Sequence, residues 1–256
     1  MSRARIVWYG GAKKFPKNDL MLHAVPGVGN VGKLVTDSLV NTHDSTLVAR
    51  ILHPDLPPHA TLNENGILTP PALDIHSVNL PDGNKILTLS SNFQPLTPAG
   101  QYEVASSLLE CCKEAKVGRL LILAGLSSEP GNDAVHVVCA SEDDVKSITE
   151  MGVEVSKEHP AAGIIGMTGM VSSLAPIFNQ PSACVIAATV GTSTDSVAAD
   201  RMVAFLKDSF KLDLGLELDN TKATAEKLNA FFDLDEIAEM PLDFESADHP
   251  DERFYA

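Results

Sequence analysis

The chain has 256 residues, 44% of them hydrophobic and 21% charged, and 34 acidic against 19 basic residues give it a formal net charge of −15. This balance is ordinary for a globular protein of one large domain, and the acidic excess argues against nucleic acids and anionic membrane surfaces as partners, because both attract basic patches. No apolar run approaches the length of a membrane span, and residues 1–6 carry no secretory signal, so we expect a cytoplasmic protein.

The first half of the chain alternates between segments of strand and helix length. In chain order, the predicted elements are strand 6–9, strand 20–25, helix 31–41, strand 46–52, strand 75–80 and strand 85–90. A glycine-rich turn precedes the helix, and a proline-rich loop follows the third strand. The last two strands flank Pro81-Asp82-Gly83-Asn84, which is typical of a hairpin turn.

The second half continues the alternation. In chain order, the predicted elements are helix 97–116, strand 119–125, strand 134–140, helix 141–151, a helix from the end of a glycine-rich crossing to Phe178, strand 183–188, helix 196–210 and helix 221–232. Thr97-Pro98 supplies an N-cap and a first-turn proline. Ser141-Glu142-Asp143-Asp144 has the form of a capping box, and Asp195 is placed to cap the helix that follows it. Asp200, one turn later, is expected on a solvated face.

These elements predict an α/β fold. Strand 119–125 is a continuous apolar run, which is typical of a strand covered on both faces. We therefore expect a three-layer α/β/α arrangement around a largely parallel, mixed central sheet. Residues 1–239 are predicted to form a single domain that includes the C-terminal helix. Residues 240–256 are predicted to be a flexible acidic tail, because residues 240–252 contain two prolines and five acidic residues without periodicity.

The first glycine-rich turn contains Gly27, Gly29, Asn30 and Gly32, in the spacing of a dinucleotide-binding fingerprint between a strand and a helix. The acidic residue that would bind a ribose is poorly placed, since Asp55 lies late in the proline-rich loop. The competing interpretation is a tight strand-to-helix turn in which glycine permits close backbone packing. We predict this structural role.

The second glycine-rich segment contains Gly163, Gly166 and Gly169. Its backbone could cradle an anion, but the segment has no lysine or arginine. We predict a close-packed backbone crossing that needs no ligand.

Other chemistry-bearing residues form no recognisable site. His53 and His59 share the proline-rich loop, but their spacing matches no metal site, and the eight histidines are expected in solvated loops. The four cysteines fit small buried thiols in a reducing compartment. No metal, cofactor or catalytic pair is therefore predicted, and the protein is expected not to be an enzyme.

The sequence closes on a hydrophobic residue, a tyrosine and one further residue: Phe254, Tyr255 and Ala256. Aromatic rings bring a large contact area with few rotatable bonds, and a terminal carboxylate can be bound by a lysine or by backbone N–H groups. These three residues are the predicted partner-binding site. The alternative is a frayed tail whose rings fold back onto the body.

The order of several landmarks along the chain resembles the proteasome assembly chaperone family, which comprises the second eukaryotic assembling chaperone and its archaeal and bacterial homologues. The landmarks are Gly27-x-Gly29-Asn30-x-Gly32, Asn92-Phe93-Gln94-Pro95, residues 121–125, Gly163-x-x-Gly166-x-x-Gly169 and Asp195-Ser196-Val197-Ala198-Ala199-Asp200. Relatives often carry an acidic residue where Phe93 stands, which leaves the role of that loop open. The resemblance implies a fold similar to the nucleoside phosphorylase/hydrolase type, no established catalysis and a homo-oligomer.

The resemblance also gives the tail a function. It implies an ATP-independent assembly chaperone or activator that docks Phe254, Tyr255 and Ala256 into the α-ring of a 20S-type proteasome. Two alternatives stay open at this stage. One is a small-molecule enzyme or binder that uses the glycine-rich turns for a nucleoside or an anion, and the other is an oligomeric scaffold whose tail is inert.

Overall fold

The structure is a computed structural model, which describes residues 2–62, 65–157, 163–191 and 193–238. The strands are β1 (Arg5–Trp8), β2 (Leu20–His23), β3 (Ser45–Leu52), β4 (Thr61–Leu62), β5 (Leu68–Thr69), β6 (Leu73–Asn79), β7 (Lys85–Ser91), β8 (Arg119–Ser127), β9 (Val135–Val138) and β10 (Ser182–Thr189). The α-helices are α1 (Val31–Thr42), α2 (Pro98–Ala115), α3 (Glu142–Glu150), α4 (Gly166–Leu174), α5 (Ser196–Phe210) and α6 (Leu218–Ala238). Short 3-10 turns at Val28–Asn30 and Ala175–Phe178 join the helices that follow or precede them.

One mixed sheet of eight strands forms the centre of the described structure, in the order β1-β3-β6-β7-β2-β8-β10-β9. The four strands β7, β2, β8 and β10 run parallel to one another. Antiparallel strands extend the sheet on both sides, with β6, β3 and β1 beyond β7 and with β9 beyond β10. Because the central strands are parallel, their C-terminal ends lie along one edge of the sheet.

Helices cover both faces of the sheet. On one face α2 and α4 pack over an apolar core that includes Met21, Leu108 and Met167. On the other face α1, α3, α5 and α6 pack over a second core, which includes Leu22 and Leu121. Met21 and Leu22 contribute to opposite cores because successive side chains of a strand point to opposite faces. The arrangement confirms the predicted three-layer α/β/α fold with a largely parallel, mixed sheet.

Most predicted elements agree with the structure to within a few residues, and two differ for physical reasons. The small hairpin β4–β5 was not predicted, because strands of two residues give no periodic pattern. Helix α4 begins at Gly166, whereas the sequence predicted a loop as far as Gly169. Gly169 therefore lies inside the helix. Glycine is needed at this position because a methyl group would meet the carbonyl oxygen of Ile164 at 2.0 Å.

Three side-chain predictions need correction. Asp200 does not lie on a solvated face, since it is half-buried and accepts a hydrogen bond of 2.8 Å from Thr221 of α6. His53 is buried beside Glu103, with Nε2 3.2 Å from its carboxylate, so it is not a solvated loop residue. The expected capping box is half formed. The Ser141 hydroxyl accepts from the Asp144 backbone N–H, but the Asp144 carboxylate accepts from the Ser141 hydroxyl and from the backbone of Ser182.

The helices of the described segments are all too short or too polar to cross a membrane. Within these segments, no three His, Cys, Asp or Glu side chains are grouped in a way that could hold a metal ion.

Candidate functional site

The first glycine turn (residues 26–32) connects the end of β2 to α1 at the edge where the parallel strands end. Gly29 has a φ of 62° and Asn30 a φ of 47°, so two successive residues adopt the left-handed conformation that favours glycine and asparagine. The Asn30 side chain holds the turn in place, because its Nδ2 donates to the carbonyl of Ser193 at 2.7 Å and its Oδ1 accepts from the Gly27 backbone at 3.3 Å.

Two glycines let this turn and α1 lie directly against β8. A methyl group at Gly32 would meet the carbonyl oxygen of Leu123 at 2.3 Å, and one at Gly125 would meet the carbonyl oxygen of Val28 at 2.1 Å. Both obstacles are backbone atoms, which cannot rotate away as a side chain can. The geometry therefore favours a packing role for Gly32 and Gly125.

The loop between β10 and α5 closes the other side of the turn. Asp195 caps α5 as predicted, accepting from the Ala198 backbone at 2.9 Å, and it also accepts from the Thr189 hydroxyl at 2.7 Å. Its own backbone N–H donates to the carbonyl of Gly29 at 2.8 Å. A side chain at Gly29 would collide with Thr189, whose Oγ1 would lie 2.6 Å from the added methyl group.

The second glycine turn (residues 163–169) leads into α4 at the same edge of the sheet. Gly166 has a φ of 75°, and a methyl group there would lie 3.1 Å from the side-chain oxygen of Gln94. At Gly163, an added methyl group meets no atom of the described residues within 4 Å. Gly27 is similar, since it has extended backbone and an added methyl group would find its nearest neighbour at 3.9 Å. The steric reason for glycine therefore holds at Gly29, Gly32, Gly166 and Gly169 but not at Gly27 or Gly163.

Gln94 joins the two glycine turns. Its Nε2 donates to the carbonyl of Pro26, and its Oε1 accepts from the Met167 backbone N–H at 3.1 Å, in the first turn of α4. The sequence left the role of the loop around Gln94 open. In the structure this loop is the link between the two turns, and Phe93 before it takes no part in the two hydrogen bonds.

A cleft of about 740 Å³ lies between these elements, and we call it the glycine-turn cleft. It is lined by both glycine turns, by the loop around Gln94 and by the C-terminal half of β8, and the described residues that line it carry no ionisable side chain. Three apolar side chains at its rim are exposed: Ile165 by 92%, Leu96 by 69% and Val28 by 41%. An apolar cleft with an exposed apolar rim is suited to contact with apolar groups rather than to acid–base chemistry.

His23 ends strand β2, two residues before Val25 of the cleft lining. The ring is fully buried, and neither ring nitrogen has a hydrogen-bond partner among the described residues. Burial lowers the pKa of His23 to about 4, because the charged imidazolium would have no water around it. His23 is therefore neutral at neutral pH, and its only trace in the sequence is a polar residue within an apolar run.

Burial also changes the acidity of two cysteine thiols. Cys112 and Cys184 are almost completely buried, and desolvation raises the pKa of each thiol well above its usual range. Thiols in this state are poor nucleophiles. Phe254, Tyr255 and Ala256, the predicted partner-binding residues, lie outside the described residues.

A family model described as the PAC2 family matches residues 21–230, so the chain belongs to the PAC2 family. This confirms the resemblance drawn from the order of the glycine turns, Gln94 and Asp195 along the sequence. The match includes both glycine turns and nearly all elements of the sheet.

Relatives of known structure share the fold across almost the whole chain. The crystal structure of Pyrococcus furiosus PbaB, an archaeal proteasome activator, has a TM-score of 0.70 at 20% identity and covers 93% of this chain and 100% of its own. Pyrococcus furiosus PbaA, an archaeal homolog of proteasome-assembly chaperone, also has a TM-score of 0.70, at 22% identity over 92% and 99%. Among curated proteins, the uncharacterized protein MJ1210 of Methanocaldococcus jannaschii is 24% identical over 185 residues, which are 72% of this chain and 70% of the relative.

Proposed function

We propose that this protein is a cytoplasmic, ATP-independent assembly chaperone or activator of a 20S-type proteasome, without catalytic activity of its own. The observation that carries the proposal is the membership in the PAC2 family together with the likeness to PbaB and PbaA across more than nine tenths of the chain. Those two relatives are described as a proteasome activator and as a homolog of a proteasome-assembly chaperone.

The proposed contact is made by Phe254, Tyr255 and Ala256, which have the hydrophobic-tyrosine-any pattern of a proteasome-docking tail. The two aromatic rings would enter a pocket between adjacent α-subunits, and the carboxylate of Ala256 would meet a lysine there. Residues 240–252 carry five acidic side chains, which would steer this segment toward a basic pocket.

The direction of α6 fits this role. The Ser38 hydroxyl of α1 donates to Thr224 of α6 at 2.9 Å, while Asn229 accepts from the hydroxyl of Thr194 at 2.9 Å. Thr194 lies beside the first glycine turn, so α6 runs antiparallel to α1 and ends toward the edge of the sheet that carries the glycine-turn cleft. The ring would then approach the protein from that edge.

Several copies of the chain would act together. A homo-oligomer presents several tails to a ring of seven pockets, and linked binding of this kind exceeds a single weak contact by about 10²–10⁴-fold. The exposed apolar rim of the glycine-turn cleft is a surface through which copies with a net charge of −15 could associate, because it adds no further repulsion between like charges.

The test is to measure binding of the full chain to an isolated 20S α-ring, with Tyr255→Ala as the variant. A buried aromatic anchor dominates such contacts, so we expect the variant to bind at least about 30-fold more weakly. Tyr102→Ala is the matched control, since Tyr102 is a half-exposed tyrosine on α2 of the folded body. We expect this control to bind within about 3-fold of the parent.

Equal loss in both variants would assign the contact to the folded surface, and no binding by the parent would refute the proposal. Two further readouts separate the two roles. A rise in peptide hydrolysis by the mature proteasome identifies an activator, whereas a faster yield of complete α-rings identifies an assembly chaperone.

A further inference from the structure

A second cavity, of about 220 Å³, lies on the opposite face of the sheet from α2 and α4, beneath the hairpin β4–β5. We call it the Lys33 cavity. Its walls are α1, the antiparallel strands β3, β6 and β7, and the prolines that follow β5. It borders the glycine-turn cleft at Asn92 and Phe93, but its chemistry is different, because charged side chains line it.

The first charged group comes from α1. Lys33 is only 1% exposed although it is a lysine, and its Nζ lies 2.6 Å from the Asp37 carboxylate one helical turn later. Ser90 of β7 donates its hydroxyl hydrogen to the other oxygen of Asp37, and its oxygen lies 3.5 Å from Lys33 Nζ. One N–H of the Lys33 ammonium is left for a further acceptor, since an ammonium has three.

The second charged group spans the neighbouring strands. Arg50 of β3 binds Asp74 of β6 through two hydrogen bonds, Nε to Oδ1 at 2.9 Å and Nη2 to Oδ2 at 3.2 Å. Asp74 is also the register partner of Ser90. Arg50, Asp74 and Ser90 therefore lie side by side on three adjacent strands, and Ser90 contacts the Lys33–Asp37 pair. Asp74 occupies two of the five N–H donors of Arg50, and the Tyr9 side chain interacts with the same guanidinium, which leaves at most two donors for another partner.

His76 stands next to this row, two residues after Asp74 on the same face of β6. Its Nδ1 is buried and has no hydrogen-bond partner among the described residues. Burial is the largest cause of its lowered pKa; Asp74 and Asp37 oppose the shift and Arg50 adds to it. A neutral imidazole with an unused ring nitrogen is a ready hydrogen-bonding partner for a bound molecule.

Stability alone does not explain why a charged pair is buried at this position. Burying an ion pair is often no better than burying apolar side chains of the same size, and the neighbours of Lys33 on α1, Leu34 and Val35, are apolar and fully buried. The charged side chains also keep contact with the open cavity, because Asp37 is 22% exposed, Arg50 19% and Asp74 31%. Charged groups that face a cavity and retain unused donors and acceptors are typical of a binding site.

We propose that the Lys33 cavity binds a small zwitterion of the α-amino acid class. The carboxylate of the ligand would accept from the unused N–H groups of Lys33 and Arg50. Its ammonium group would donate to the remaining lone pairs of Asp37 and Asp74 or to His76. Both signs of charge on the ligand thus meet the opposite sign on the protein.

The charge balance favours a zwitterion over a simple anion or cation. Two cationic and two anionic side chains line the cavity, so a ligand with no net charge leaves the site neutral. A free anion would have to approach a molecule whose net charge is −15, and a free cation would have to enter beside Lys33 and Arg50. A zwitterion meets neither obstacle.

The volume limits the ligand to a single small molecule. The cavity volume of about 220 Å³ lies below the roughly 300–1,000 Å³ that is typical of pockets for drug-sized ligands. An α-amino acid with a small or medium side chain is smaller than a drug-sized ligand and suits a cavity of this size. A dinucleotide or a peptide of several residues is far too large.

The experiment is thermal unfolding of the full chain with each of the twenty L-amino acids in turn. A ligand present at about 100 times its Kd is expected to raise Tm by roughly 5 °C or more for a protein of this size. The strongest binder is then compared with its amide, which lacks the carboxylate, and with its N-acetyl form, which lacks the ammonium group. We expect both derivatives to lose the shift, and acetate and inorganic phosphate to give none.

Two variants locate the site. Arg50→Gln removes donors for the carboxylate and is expected to weaken binding at least about 10-fold, as loss of a charged hydrogen bond does. Lys207→Gln is the control for loss of a cation, since Lys207 forms an exposed pair with Asp213, 2.8 Å apart and outside the cavity. We expect this control to bind the ligand unchanged.

The proposal is overturned if no amino acid gives a saturable shift, or if acetate or phosphate alone reproduces the shift, which would define an anion site. It is also overturned if Arg50→Gln binds as well as the parent. Should Arg50→Gln fail to fold, the comparison of the parent with the amide and N-acetyl derivatives still decides between the outcomes.

Discussion

The glycine-turn cleft and the Lys33 cavity are neighbours, yet they are built in opposite ways. Backbone packing shapes the cleft: glycines bring α1 and α4 against other backbone, and Gln94 ties the two turns together. Side chains shape the cavity, where two cations and two carboxylates come from one helix and two strands. The first design leaves an exposed apolar surface, and the second leaves paired charges at a small cavity, where we propose that a zwitterion binds.

The two regions also treat a buried basic side chain differently. His23, near the cleft, has no hydrogen-bond partner in the part of the chain that the structure describes, and desolvation lowers its pKa. Lys33 in the cavity is paired with a carboxylate at 2.6 Å. Changing these residues should therefore have different effects, and the following predictions are ordered from the largest expected effect to the smallest.

Lys33→Met should have the largest effect on stability. The substitution leaves the Asp37 carboxylate without its cation in a partly buried position, so we expect the free energy of unfolding to fall by about 3 kcal/mol. Urea denaturation measures this change. The double variant Lys33→Met/Asp37→Leu removes both charges and should recover most of the loss. If the double variant is as unstable as the single one, the ion pair is not the cause.

Acidification should destabilise the protein through His23. The unfolded chain binds a proton at this side chain below pH 6.5, whereas the folded chain does so only near pH 4. Above pH 6.5 the His23 side chain is neutral in both states and does not lower the free energy of unfolding. As the pH falls from 6.5 toward 4, the unfolded chain takes up the proton first, so the free energy of unfolding decreases. Between pH 7 and 4.5 we expect a loss of about 2–3 kcal/mol from this residue.

The control for this prediction is His23→Leu, which has no titrating group. Its unfolding free energy, measured by urea denaturation at pH 7 and 4.5, should fall by about 2–3 kcal/mol less than that of the parent. Equal pH dependence in the two proteins would show that His23 is already protonated or accessible in the folded state.

Gly32→Ala should destabilise the cleft by overpacking. The added methyl group would lie 2.3 Å from the carbonyl oxygen of Leu123, in a central strand that cannot move aside. We expect a loss of about 1–3 kcal/mol, after the gain that alanine brings to a helix. Gly163→Ala is the matched control and should change stability by less than about 0.5 kcal/mol, since nothing lies within 4 Å of the added methyl group. Similar losses at both positions would contradict the packing explanation.

Gln94→Ala should have the smallest effect of the four. The substitution leaves the Pro26 carbonyl and the Met167 N–H without the side chain that binds them. Because both hydrogen bonds are partly buried, we expect the free energy of unfolding to fall by about 1–2 kcal/mol. Gln101→Ala is the control, because the Gln101 side chain donates only to the carbonyl of Pro95. A thermal unfolding scan of both variants tests the difference, and an equal Tm would mean that Gln94 does not hold the turns together.

The fold could be predicted from the sequence because its signals are local. The apolar run at 119–125, the hairpin turn after residue 80 and the caps at Thr97 and Asp195 each depend on a few neighbouring residues. The hairpin β4–β5 could not be predicted in this way, since its strands are two residues long and lie in a proline-rich loop.

The two cavities could be predicted only in part. The spacing of the glycines predicted both turns, because a close approach of two backbone segments requires glycine at particular positions. The role of Gln94 could not be inferred, since its partners Pro26 and Met167 are 68 and 73 residues away. The Lys33 cavity depends on the order β3-β6-β7 in the sheet. Its local signal is a Lys33–Asp37 pair, at a spacing of four residues, in a helix whose residues from Val31 to Thr36 are all buried.

The most direct test of the proposed function is to compare the full chain with a chain that lacks Phe254–Ala256. Both proteins are measured for Tm and for affinity to an isolated 20S α-ring. We predict that Tm stays within about one degree, because residues 240–256 are expected from the sequence to form a flexible tail, while binding to the ring is lost or falls at least 30-fold. Undiminished binding by the shortened chain would contradict the account and would assign the interaction to the folded body.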